Sequence, residues 1–92
     1  MIYKRTQVRR LILDPKAIGE RIAKARKGRR WKQKQLAEAC GVKENTVAMW
    51  EGGWRVPQRD TLVALAIHLR RSIDWLLCGV PRRGALHRMV PS

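Results

Sequence analysis

Glycine residues cut the central part of the chain into short segments, and this spacing limits what the chain can fold into. Between the glycines, apolar residues recur at spacings of three and four, which is typical of amphipathic helices. Glycine is common where such helices end, because it adopts the left-handed backbone conformation easily. The sequence therefore predicts a series of short helices, whose apolar faces are too narrow for any one of them to be stable alone.

The segments predict five helices. The first begins at Asp14 and Pro15, because aspartate can cap free amides and proline is favoured at the first helical position. Gly28 is expected to end it as a left-handed cap, and the fifth helix begins at Ser72 and ends before Gly79. No strand-like alternation or internal repeat is present, so the predicted fold is all-α, a compact bundle of five short helices. The three middle helices are expected over residues 33–40, 44–52 and 59–69.

Periodicity also predicts the domain organisation and the core. Residues 1–13 lack helical spacing and are expected to form a basic N-terminal arm, residues 14–79 the domain, and residues 80–92 a flexible C-terminal tail. Within the domain, the residues at helical spacing on apolar faces are the candidate core. They are Ile18, Ile22, Ala25, Leu36, Ala37, Cys40, Val47, Trp50, Leu62, Leu65, Ala66, Leu69, Ile73, Leu76 and Leu77.

Positive charge is concentrated at one end of the chain. The formal net charge is +14, of which residues 1–35 contribute +11, from 13 basic against 2 acidic residues, and residues 36–92 only +3. A folded unit with such an excess on one side is expected to bind a polyanion, with nucleic acid as the first candidate, an anionic membrane surface the second and an acidic protein the third.

Several other classes of protein lack support in the sequence. No uncharged apolar run approaches the length of about 18 residues that a membrane span needs, and no signal peptide is present, so we expect a cytoplasmic protein with reduced cysteines. Cys40 and Cys78 lie 38 residues apart without paired ligands, so we expect no zinc and no other cofactor. Neither His68 nor His87 has a nucleophile at motif spacing, and there is no glycine-rich phosphate loop, so the chain is not expected to be an enzyme.

The second and third predicted helices carry a distinctive motif over residues 33–53. These residues resemble the helix-turn-helix of the Xre family, the phage-repressor and Cro-like regulators, which typically reads Q-x-x-L-A-x-x-x-G-V-x-x-x-x-I-x-x-W-E-x-G. Residues 72–79 look like the closing helix of that family, so the likeness covers about residues 17–79. It implies a lambda-repressor-like bundle. The matching positions are Gln33, Leu36, Ala37, Gly41, Val42, Trp50, Glu51 and Gly53, with Val47 in place of isoleucine.

Two positions depart from the family pattern. Lys32 stands where the family usually has a serine or threonine cap for the second helix, and Arg70 stands where a glycine usually ends the fourth. Loss of a cap costs about 1 kcal/mol. A lysine just outside the helix can instead contact a phosphate if DNA lies there.

The resemblance implies a sequence-specific DNA-binding transcriptional regulator. A repressor is expected, bound as a homodimer to a near-palindromic operator on double-stranded DNA through the major groove. Such a protein is expected in the cytoplasm, bacterial or phage-encoded and associated with the nucleoid. The alternative is an antitoxin-type module that autoregulates by DNA binding and holds a toxin through residues 1–13 and 80–92. Non-specific RNA or nucleoid binding is a third possibility, disfavoured because the basic region lacks stacking aromatic residues.

In the family the third helix reads base edges, which assigns candidate base contacts here. Asn45 has the donor and acceptor for an adenine edge, and Lys43 can donate to guanine or to a phosphate. Glu44 either accepts from cytosine or only interacts favourably with the helix dipole. The expected base contacts are Lys43, Glu44, Asn45, Ala48 and Met49, because Val47 and Trp50 turn towards the core.

Contacts to the DNA backbone are expected around the start of the second helix, whose free amides favour phosphate. Glu51 is expected to pair within the protein, since a carboxylate repels phosphates. Trp54 covers the core or stacks on a sugar, with core packing favoured, and Trp75 belongs to the core or to a subunit interface. The alternative for Arg30 and Lys32 is that they belong to a charged, solvent-exposed segment that contacts no ligand. The expected backbone contacts are Gln33, Lys34, Thr46, Arg55, Arg30 and Lys32.

Overall fold

The computed structural model describes residues 13–79, and this part of the chain contains five helices and no strand. The predicted all-α bundle is therefore confirmed, and the expected arm and tail, apart from Leu13, lie outside the described residues. None of the helices in residues 13–79 is long and apolar enough to cross a membrane. The helices are α1 (Pro15–Gly28), α2 (Gln33–Cys40), α3 (Glu44–Glu51), α4 (Arg59–Leu69) and α5 (Ile73–Cys78).

One core joins the apolar faces of all five helices. The prediction of a buried Ile73 is wrong, because α5 has only six residues and Leu76 fills its inward position, which leaves Ile73 36% exposed. Cys40, Ala66 and Leu77 are only partly buried and pack at the edge of the core. The fully buried side chains are Ile18, Ile22, Leu36, Val47, Leu65 and Leu76.

Helix α1 packs against α3 at a point where only glycine fits. A Cβ atom on Gly19 would overlap the carbonyl oxygen of Trp50 and lie 2.8 Å from that of Glu51. The missing side chain lets the two helix backbones approach each other closely. Gly19 therefore fixes where α3 lies on the surface of α1.

The end of α1 differs from the prediction. Gly28 is the last helical residue, and the left-handed conformation falls on Arg30, with a φ of 61°. The amide of Trp31 donates to the carbonyl oxygen of Arg26 at 3.2 Å, and Arg26 Nη1 donates to the carbonyl oxygen of Trp31 at 2.7 Å. These two bonds, rather than the backbone preference of glycine, determine where the chain turns. Arg70 adopts the same conformation, with a φ of 58°, at the end of α4.

The C-terminal end of α5 is held by a side chain from α1. Arg21 donates from Nε to the carbonyl oxygen of Leu76 at 3.0 Å and from Nη2 to that of Leu77 at 2.9 Å. Carbonyl groups in the last turn of a helix have no partner within the helix. The guanidinium of Arg21 supplies that partner and ties the last described helix to the first.

Substitution of the glycine between α1 and α3 tests this packing. Gly19→Ala should lower the free energy of unfolding by about 3 kcal/mol, because the new methyl group forces the two helix backbones apart. Gly28→Ala is the matched control: a Cβ there meets no heavy atom within 4 Å, so the change should stabilise the helix by up to about 1 kcal/mol. Urea denaturation measures both, and equal effects would contradict the close approach.

Candidate nucleic-acid interface

Helices α2 and α3 form a helix-turn-helix. Gly41 adopts the left-handed conformation with a φ of 72°, as predicted, and ends α2. The amide of Val42 donates to the carbonyl oxygen of Ala37 at 3.0 Å, which closes the turn and directs the chain into α3. The two helices pack against each other, α3 also packs on α1, and α2 packs on α4. The position of α3 is therefore fixed from two sides.

Helix α3 buries one face and leaves the other open. Val47 and Trp50 are 0% and 3% exposed and belong to the core, as predicted. The five candidate base-contact residues lie away from the core along the length of the helix. Lys43, Glu44 and Asn45 are exposed, whereas Ala48 and Met49 are half-buried. The structure thus places these five side chains outside the core, at the start of α3 and along the helix, with Lys43, Glu44 and Asn45 the most accessible.

The first turn of α2 lacks a side-chain cap. Lys32 occupies the cap position with an extended backbone and carries no acceptor, and the only side-chain contribution is Gln35 Oε1, which accepts from the amide of Lys32 at 2.7 Å. The amides of the following turn have no partner within the helix. Those amides are a positive helix end that suits an anion.

The other candidate backbone contacts fall into two groups. Arg30 and Lys32 are exposed in the loop between α1 and α2, and Lys34 is exposed on α2 itself. Thr46 and Arg55 line an open cleft between α3 and the start of α4, together with Gln58 and Thr61.

A buried ion pair joins α1, α2 and α3. Arg26 donates from Nε to Glu51 Oε2 at 2.6 Å and from Nη2 to Oε1 at 3.0 Å, and Gln33 Nε2 donates to the same Oε1 at 2.9 Å. The two charged side chains are 10% and 8% exposed. The expectation that Glu51 pairs within the protein is confirmed, and the pair also fixes the side chain of Gln33. The sequence reasoning missed Arg26, although it follows Ile18 and Ile22 at the same spacing of four on the buried face of α1.

Trp54 does not cover the core, contrary to the favoured prediction. Its side chain is 79% exposed. Trp50 already fills the inward position at the end of α3, and the chain turns outward at Gly53, which has a φ of 82°. Trp75, by contrast, is half-buried against the core, with the guanidinium of Arg71 stacked 4.7 Å from its ring centroid.

The site offers hydrogen-bond donors and positive charge rather than reactive groups. Within residues 13–79, no three side chains of the metal-ligating types come together. Both cysteines are free, and burial raises the pKa of the Cys40 thiol. The open face of α3, the uncapped end of α2 and the cleft at Arg55 each offer groups of the kind that contact an extended anion.

The chain is similar to known regulators in sequence. The helix-turn-helix family model matches residues 22–76. The HTH-type transcriptional regulator DicA of Escherichia coli (strain K12) is 39% identical over 62 residues, which cover 67% of this chain and 46% of that protein. The chain therefore spans about half the length of this relative.

Solved structures of repressors and controller proteins share the fold. The P22 c2 repressor in complex with synthetic operator 9T is 35% identical, with a TM-score of 0.67, over 68% of this chain and 96% of that chain. The restriction-modification controller protein C.AhdI of Aeromonas hydrophila is 25% identical, with a TM-score of 0.65, over 70% of this chain and 97% of that chain. These similarities agree with the order and packing of the five helices in residues 13–79.

Removal of one member of the buried ion pair tests its structural role. Glu51→Ala should lower the free energy of unfolding by about 3 kcal/mol, because the guanidinium of Arg26 is left buried without its counter-ion. Glu38→Ala on the exposed side of α2 is the control and should change stability by less than about 0.5 kcal/mol. Thermal or chemical denaturation checks both, and a small loss at Glu51 would show that the pair does not hold the helices together.

Proposed function

The chain belongs to the helix-turn-helix family of Xre-type transcriptional regulators, and on that premise we propose that it is a sequence-specific DNA-binding repressor. The observation that carries the proposal is the open face of α3, with Lys43, Glu44 and Asn45 exposed beside the uncapped first turn of α2. The P22 c2 repressor, which shares this fold, is in complex with operator DNA. In this chain, the open face of α3 and the first turn of α2 are the surface that would contact a DNA duplex.

We propose that α3 lies in the major groove and reads bases with the side chains that it leaves uncovered. The amide of Asn45 can both donate to and accept from an adenine edge. Lys43 and Glu44, at the start of the helix, can donate to guanine and accept from cytosine, and Ala48 and Met49 can contact a thymine methyl group. The selected sequence would depend on these five residues.

Backbone binding is proposed for the surroundings of α3. Gln33 keeps one amide hydrogen and its side-chain oxygen free of the bond to Glu51, and its position is fixed by that bond. With the free amides of the first turn of α2, it can hold one phosphate. Thr46 and Arg55, which line one cleft, can hold a phosphate on the other side of α3. Further positive charge along the DNA strand that Gln33 contacts would come from Arg30, Lys32 and Lys34.

A homodimer is proposed on the face of α4 that points away from the core. Val63 and Ile67 lie one turn apart on that face and are 43% and 66% exposed, and Ile67 borders an open groove with Trp75. Exposed apolar side chains that lie together support a protein interface. A second copy placed there would give two reading helices related by a two-fold axis, as a palindromic operator requires.

Selection from random double-stranded oligonucleotides with the purified protein tests the proposed function. A dimer should enrich a near-palindrome whose half-sites lie about 34 Å apart, one helical turn. With about six phosphate contacts per dimer, the logarithm of the affinity should fall with the logarithm of salt concentration at a slope of about −5. Absence of any enriched sequence would contradict specific DNA binding and favour the antitoxin-type module or non-specific RNA or nucleoid binding. Binding independent of salt would contradict the backbone contacts.

Two substitutions separate base reading from backbone binding. Asn45→Ala should reduce discrimination at one base position by about 1–3 kcal/mol and leave the salt slope unchanged. Lys32→Ser should stabilise the fold by about 1 kcal/mol, because serine can cap α2, yet weaken binding to all sequences and reduce the salt slope by about 1 per protomer. Fluorescence anisotropy over a salt series measures both. A uniform loss for Asn45→Ala would make that residue a phosphate contact instead.

A further inference from the structure

Trp54 is the most exposed large apolar side chain in residues 13–79. It is 79% exposed, whereas Trp50 is 3% exposed and Trp31 and Trp75 pack against the core. An indole has a large apolar surface, and proteins usually bury it or use it at an interface. Trp54 does not pack in the core, so the apolar surface of its indole is available to a binding partner.

The indole lies at the end of the face of α3 that carries the candidate base contacts. The amide of Trp54 donates to the carbonyl oxygen of Met49 at 2.9 Å, which ties the residue to the helix. A Cβ atom on Gly52 would lie 2.9 Å from Trp54 Cδ1 and 3.2 Å from Nε1, so the ring lies directly over Gly52. Positions 45, 48, 49 and 52 share one helix face, since residues three and four apart are neighbours. Trp54 therefore continues that face beyond the last turn of α3.

The length of α3 indicates what Trp54 would meet on DNA. Its 8 residues span about 12 Å, and the major groove is also about 12 Å wide. If the N-terminal residues of α3 reach the base edges, the other end of the helix lies near the edge of the groove, where the sugars and phosphates are. The next residue, Arg55, is exposed and positively charged, and the neighbouring carboxylate of Glu51 is already paired with Arg26. The start of α1, with Lys16 and the capping carboxylate of Asp14, also lies against Gly53 in this corner.

We propose that the indole of Trp54 packs against a deoxyribose of the DNA backbone at the edge of the groove that α3 occupies. The inference rests on the proposed DNA-binding function and adds an apolar contact to it. Arg55 binds the adjoining phosphate through charge, whereas Trp54 excludes water from the sugar beside it. The contribution of Trp54 is therefore independent of base sequence and, unlike that of Arg55, independent of salt.

Acrylamide quenching of tryptophan fluorescence tests the contact directly. In the free protein most of the quenching should come from Trp54, so Trp54→Phe should remove it. Addition of a mixed-sequence duplex of about 20 base pairs, two helical turns, should protect the wild-type fluorescence severalfold and protect that of Trp54→Phe much less, because the remaining tryptophans are already partly or fully buried. Anisotropy of a labelled duplex in the same sample reports whether DNA is bound.

The outcomes of the quenching experiment are distinct. Binding without protection would overturn the contact and leave the proposed function intact, whereas absence of binding would overturn the proposed function itself. Protection that appears without DNA, increases with protein concentration and is lost in Trp54→Phe would mean that a second copy covers Trp54, which also overturns the proposal; protection that remains in Trp54→Phe would come from Trp75 beside the proposed dimer surface.

Affinity measurements over a salt series provide the second test. Trp54→Ala should weaken binding by about tenfold at every salt concentration, because a buried interface tryptophan contributes strongly. Arg55→Ala should instead reduce the salt slope by about 1 per protomer. Trp54→Phe should retain most of the affinity, since an aromatic ring remains. Both Trp54 variants should have the same melting temperature as the wild-type protein. Unchanged affinity of Trp54→Ala, or a change of slope like that of Arg55→Ala, would overturn the proposal.

Discussion

The buried contact between Arg26 and Glu51 determines how the helix-turn-helix sits on the rest of the molecule. It joins the last turn of α1 to the last residue of α3, and through Gln33 it reaches the first turn of α2. Burial of two charges is costly, and removal from water often cancels what the attraction between them gains. Two hydrogen bonds between the pair, a third from Gln33 and a fourth from Arg26 to Trp31 offset that cost. The contact fixes the relative positions of the end of α1, the end of α3 and the start of α2.

Several basic residues in the first part of the chain stabilise the fold rather than face a ligand. The sequence suggests a basic segment whose charges serve a polyanion, yet three of its arginines have structural roles. Arg21 binds carbonyl groups of α5, Arg26 neutralises Glu51, and Arg29 stacks 4.6 Å from the ring centroid of Trp31. Within residues 13–79, the exposed basic side chains next to the helix-turn-helix that make none of these contacts include Arg30, Lys32, Lys34 and Arg55.

The parts of the structure that follow from local rules could be predicted from the sequence. Apolar spacing of three and four identified the helices, capping residues such as Asp14 and Ser72 marked where they begin, and Val47 and Trp50 identified the buried face of α3, because these signals are independent of the fold around them. The parts that depend on distant residues could not be predicted in this way. The end of α1 is set by Arg26 and Trp31 rather than by Gly28, and the exposure of Trp54 follows from Trp50 already filling the core. The partner of Glu51 lies 25 residues away, beyond the reach of periodicity.

The bond from Arg21 to the end of α5 has a consequence for the order of assembly. A six-residue helix is not stable in water by itself. Helix α5 therefore forms only when Arg21 of α1 can donate to its carbonyl groups and Leu76 can pack in the core. The two partners are 55 residues apart. During synthesis on the ribosome the first helix therefore emerges long before the segment that completes its packing, and α3 is available to cover part of the inner face of α1 before α5 is. The packing of α1 is therefore complete only after the end of α5 has left the exit tunnel.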